Sequence, residues 1–261
     1  MLCLLLREDK LLAKIFEMRK IEVCCSSVEE VLAAERAGAI RVELCGALSL
    51  GGITPSYGMI RSVVEARKSI AVNVLIRVRE GGFCYSDVEI DAMCRDIEFC
   101  RQVGVDGVVI GALTPSGEID MEACRRMMKS AEGMSVTFHR AFDVCSCGEK
   151  ALEQIIELGC DRLLTSGMES SAEVGVKHIS EFIKQAAGRI IIMPGAGINP
   201  SNIAWIETTT AATEFHSTAA ANQQDQAFST AKLSFAADRC GMGILRRSQY
   251  EIVSELVNNV L

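Results

Sequence analysis

The phrases AERAGAIRVEL (34–44), CRQVGVDGVVI (100–110) and IIELGCDRLLT (155–165) write one helix-to-strand joint three times. Each runs from an apolar helix face through a glycine that stops the helix into a run of branched residues that favours a strand. Ser-x-x-Glu capping boxes open the helices at Ser27–Glu30, Ser86–Glu89, Ser146–Glu149, Ser170–Glu173 and Ser248–Glu251. The apolar strands fall at 21–25, 41–45, 71–77, 107–113, 135–142, 162–167, 189–198 and 213–219. Eight strands alternating with helices, with no break in composition, predict a single-domain (β/α)8 TIM barrel of the α/β class. A doubly wound open sheet is the structural alternative. The expected division is an N-terminal extension over 1–20 and the barrel domain over 21–261. Met18-Arg19-Lys20 leads directly into the first strand, which makes Met18 a candidate translation start. The polar stretch from Ala220 to Arg247 reads as a long loop after the eighth strand.

With 261 residues, 49% of them hydrophobic, the chain can fill one large core. Its formal net charge of −7 argues against nucleic-acid and anionic-membrane partners. No apolar run approaches the roughly 18 residues of a membrane span, and MLCLLL is too short for a secretory signal. Twelve cysteines are present, yet none form a Cys-x-x-Cys pair. The reading is free thiols in a reducing compartment, with no zinc ribbon.

Ligands of such folds bind at the carboxyl ends of the strands. Side-chain alternation sends Glu22, Cys24, Glu43, Cys45, Asn73, Arg77, Thr137, His139, Glu214 and His216 into the interior. Buried charges need partners, so Arg77 and the histidines are expected to face the glutamates. A self-compensating ionic network that only sets strand register fits the same residues. The first two strands both end on Glu-apolar-Cys, which sets Cys24 beside Cys45. Two adjacent soft thiolates suit low-coordinate Cu(I), and a pair of buried small hydrophobes is the plainer alternative. Cys145 and Cys147 form a lesser metal candidate.

A second chemistry is open at the same mouth. Arg77 and Arg79, beside Gly81-Gly82, could clamp an anion. Thr165 and Ser166, with Gly195 and Gly197 in the next turn, could cradle phosphate or carboxylate. Glu43 and His139 would then exchange protons in a lyase or isomerase acting on an anionic small molecule, with Arg140 and Asp143 beside them. Tight turns needing positive φ explain the glycines equally well. Gly51-Gly52 with Thr54-Pro55 reads as a mobile loop over the mouth.

The motifs IEVC, RVELCGALSLGGITPS, VLIRVREGGFCYSD, DGVVIGALT, VTFHRAFD, RLLTSG, MPGAGI and TEFHSTA together resemble the CutC copper homeostasis family, in order from Ile21 to Ala219. The resemblance implies a cytoplasmic barrel, with the nucleus as a second location, that self-associates to a homo-oligomer and takes part in copper handling. It implies Cu(I) bound at Cys24 and Cys45. Val78, Glu80-Gly81-Gly82, Leu50 and Ala196 depart from the family's usual pattern at the mouth. Whether the protein is an enzyme is left open.

Overall fold

The computed structural model describes residues 19–224 and 244–258. Its strands are β1 (Lys20–Cys25), β2 (Arg41–Leu44), β3 (Ala71–Leu75), β4 (Gly107–Ile110), β5 (Ser135–Phe138), β6 (Arg162–Thr165), β7 (Ile191–Pro194) and β8 (Glu214–Ser217). They form one parallel sheet in the order β7-β6-β5-β4-β3-β2-β1-β8, and β7 lies alongside β8 to bring the two edges together. The helices are α1 (Val28–Arg36), α2 (Tyr57–Ala66), α3 (Asp87–Val103), α4 (Met121–Ser130), α5 (Gly148–Leu158), α6 (Val176–Ala186), α7 (Ile203–Thr210) and α8 (Tyr250–Asn258). This is the expected (β/α)8 barrel.

Outward-facing Val23, Leu44, Val74, Ile110, Phe138, Leu163 and Phe215 are fully buried between sheet and helices. Each such side chain contributes about 1.5–3 kcal/mol of hydrophobic stabilisation. Ser27 and Ser86 cap α1 and α3, and at α3 the reciprocal bond from Ser86 N–H to Glu89 completes the box. Gly104 and Gly159 end α3 and α5 with φ of +80° and +82°, a conformation that favours glycine.

Three expected caps are corrected. α5 starts from Cys147 rather than Ser146. α6 starts from Gly175 rather than Ser170; the backbone passes so close at Gly175 that a Cβ there would lie 1.9 Å from Ser166 O. The Ser248 hydroxyl turns away from α8 and donates to Cys24 O and Thr218 O. Helix α2 was not resolved from the loop before it by sequence; Ser56 caps it by accepting Met59 N–H. The expected long loop after β8 begins and ends in an antiparallel ribbon of β9 (Ala220–Gln224) and β10 (Ile244–Ser248), its centre lying outside the described residues. The 1–18 part of the N-terminal extension, with Met18, lies outside them as well.

The barrel floor holds a buried ionic cluster. Arg41 pairs with Glu22 and, at 2.7 Å, with Glu214, which also accepts Arg162 Nε at 2.8 Å. Arg41 and Arg162, not Arg77, answer these glutamates. Register explains the correction: Arg41 lies directly opposite Glu22, whereas Arg77 follows β3 at the opposite end of the barrel.

Candidate functional site

Because β1 and β2 are parallel with Cys24 opposite Glu43, alternation brings Glu22, Cys24, Arg41, Glu43 and Cys45 inside. Cys24 Sγ and Cys45 Sγ lie 3.4 Å apart. Both cysteines are free and buried, packed by Leu75, Val109 and Leu48. The hydrogen bond with Cys45, together with burial, raises the Cys24 thiol well above its usual range. A metal must therefore displace that proton to bind.

Two more donors converge on Cys24. Ligand atoms of Cys24, Glu43 and His216 all lie within 4.8 Å of one another. His216 Nδ1 is 2.8 Å from Glu22 Oε1. A carboxylate on one ring nitrogen is the arrangement that orients a metal-binding imidazole and leaves the other nitrogen for the ion. Burial opposes protonation of His216, but its bond to Glu22 and the charges of Glu43 and Glu22 raise its pKa. Burial pushes Glu43 up to about 7, aided by the charge of Glu22 and opposed by His216 and Arg41. Burial likewise disfavours the Glu22 carboxylate, yet the His216 bond and the charge of Arg41 hold it at about 2. Sequence placed His216 inside the barrel without assigning it to the thiols; the pairing of β8 with β1, which sets His216 opposite Glu22, brings it to them.

Cys24, but not Cys45, lines a cavity of about 770 Å³ together with Glu43, Leu75, Arg77, Phe83, His139, Leu164 and His216, among others. His139 Nδ1 accepts the Ala141 N–H at 3.1 Å, so the neutral ring carries its proton on Nε2. That Nε2 is buried without a partner among the described residues. Burial, reinforced by the charge of Arg77, lowers the His139 pKa to about 3. At neutral pH His139 is thus a hydrogen-bond donor rather than a ready base. The ring lies across Gly111, where a Cβ would come within 2.5 Å of it.

Arg77 donates to Gly52 O (2.9 Å), Leu50 O (3.3 Å) and Gly81 O (2.6 Å). The bonds to Leu50 O and Gly52 O hold the Leu48–Gly52 loop over the thiols. Arg79 sits outside the main cavity, paired with Glu89 and bonded to Cys84 O at 2.8 Å. Asp143 is enclosed by donors: Thr165 Oγ1, Ser166 N–H (3.0 Å), Ser166 Oγ (2.9 Å), Met168 N–H (3.2 Å) and Arg140 Nε (2.7 Å). Thr165 and Ser166 are thereby committed to a carboxylate of the protein itself. Gly195 donates its N–H to Thr165 O at 2.9 Å and packs between Leu164 and His216. Gly197, at φ +84°, lines the cavity. Cys145 is buried and Cys147 exposed, and among the described residues they belong to no group of three metal donors.

Fold and site together define a (β/α)8 barrel with a buried group of side chains, Cys24, Glu43 and His216, of a kind that could hold a metal ion. Residues 19–221 match the model of the CutC family. The chain is 51% identical over 197 residues to a family protein CutC of Bacteroides thetaiotaomicron, covering 76% of this chain and 79% of that one. It is 49% identical over 199 residues to a family protein CutC of Xylella fastidiosa, covering 76% and 74%. A crystal structure described as that of a CutC copper homeostasis protein from Streptococcus agalactiae superposes with a TM-score of 0.74 at 35% identity, over 77% of this chain and 99% of that one. The chain belongs to the CutC family.

Proposed function

We propose that this protein handles copper by holding Cu(I) between the Cys24 and Cys45 thiolates, with His216 and Glu43 as further donors. The observation that carries the reading is the 3.4 Å approach of two free, buried thiols beside a cavity. Soft thiolates select Cu(I) over harder divalent ions. The copper homeostasis description of the Streptococcus agalactiae relative supports the same cargo. Free thiols suit the reducing interior of the cytoplasm and nucleus. Among the described residues no helix is long and apolar enough to cross a membrane. Self-association to a homo-oligomer belongs to this reading and is checked by light scattering of the full chain.

An anaerobic Cu(I) competition titration against a chromogenic chelator tests the site. Wild type should withdraw the ion from the chelator, Cys24→Ser and Cys45→Ser should fail to, and Cys145→Ser should behave as wild type. Undiminished binding in the first two variants would remove the site from consideration.

A further inference from the structure

We infer that the mouth cavity is also a binding site for a small organic carboxylate, seated on Arg77 and His139. Arg77 is 6% exposed and forms no ion pair among the described residues. Nη1 and Nη2 donate to three backbone carbonyls, and the Tyr85 hydroxyl also lies against the guanidinium. Among the described residues Nε is buried without a hydrogen-bond partner, and Nη2 carries a second N–H. Nε and Nη2 form one edge of the planar guanidinium, the edge a carboxylate bridges with two parallel hydrogen bonds. A buried cation without a counter-charge is costly, and the neighbours that feel its charge, His139 and Tyr85, are neutral groups.

Three further features fit the same ligand. The guanidinium stacks 5.1 Å from the Phe83 ring centre, and Phe83 lies 4.9 Å from the His139 ring. One aromatic ring thus joins the two polar groups into a single wall. His139 presents a neutral Nε2–H to the ligand's oxygen because Ala141 N–H fixes the other nitrogen as an acceptor. Leu48, Leu75, Leu164 and Ile198 supply apolar lining for a carbon skeleton. Glu43 and His216 face each other at 4.0 Å, and the charges that act on Glu43 are those of His216, Glu22 and Arg41 rather than Arg77. The inference does not rest on the copper reading, since no thiol takes part in it.

The test is calorimetric titration of the full, reduced chain with pyruvate, malate and phenylpyruvate, with inorganic phosphate and sulfate as separate arms. Saturable binding of one carboxylate per chain is expected, with phosphate and sulfate much weaker. Binding should persist in the Cys24→Ser/Cys45→Ser double variant, so failure of the copper site leaves this result readable. Arg77→Lys keeps the charge and removes the two-pronged edge, and should weaken binding about tenfold. His139→Phe keeps the ring and removes the donor, and should weaken binding several-fold; it decides the matter if Arg77→Lys fails to fold. No saturable binding by any of the three acids, equal binding of phosphate or sulfate, or unchanged affinity in both folded variants would overturn the proposal.

Discussion

Gly52 lies against Cys45: a Cβ on Gly52 would sit 3.5 Å from Cys45 Cβ and 2.8 Å from Leu75 Cδ2. Its φ of +84° is one that glycine adopts freely. The loop can therefore lie flat on the thiol pair, and Arg77 holds it there through Gly52 O. The expectation of a loop over the mouth is met in position, with these bonds fixing it.

This contact controls access to the thiols. Gly52→Ala should lift the loop and make Cys45 react faster with a thiol reagent under native conditions. In wild type the exposed Cys84 and Cys147 should label first, with Cys24 and Cys45 far behind. Mass-spectrometric mapping of labelled sites at successive times reads the order. Equal Cys45 labelling in both proteins would mean the loop does not shield it.

Arg41 neutralises two buried carboxylates at the barrel floor. Arg41→Met should cost about 3–5 kcal/mol, because removing one partner leaves charge buried and unpaired. Urea unfolding measures this directly. A loss below about 1 kcal/mol would show that the glutamates find other compensation.

Asp143 accepts from five donors around the β6 turn. Asp143→Ala should destabilise by about 3 kcal/mol, since charge-assisted bonds are lost and buried donors are left unmet. Chemical denaturation is the check. If Asp143 serves only as a reactive group, stability will not change.

His139 supplies the pH dependence. It is buried neutral with a pKa of about 3, below the ordinary value near 6.5. In the unfolded chain it gains a proton as pH falls through about 6.5, while in the folded chain it does not. Its contribution to stability is therefore complete above about pH 6.5 and lost as pH falls toward 3. His139→Gln should flatten the stability profile across that window, and urea midpoints at a series of pH values would show it. Parallel profiles for the two proteins would contradict the neutral, buried assignment.

The repeated helix-glycine-strand phrase determined the barrel without tertiary information, because caps, helix stops and apolar periodicity act within a few residues. Strand alternation likewise sent Glu22, Cys24, Glu43, Cys45 and His139 inward, and the matching triplets put the two thiols side by side. What alternation could not give was distance across the barrel. Arg41 was read as the start of a strand until register set it opposite Glu22. His216 joined Cys24 only because β8 pairs with β1. Asp143 is a catalytic candidate by sequence, and Thr165 and Ser166 are candidates to cradle an anion, but the fold turns them on one another. Local patterns fix backbone conformation and facing; partnership among buried polar groups is decided by closure of the sheet, which brings together residues that the sequence keeps far apart.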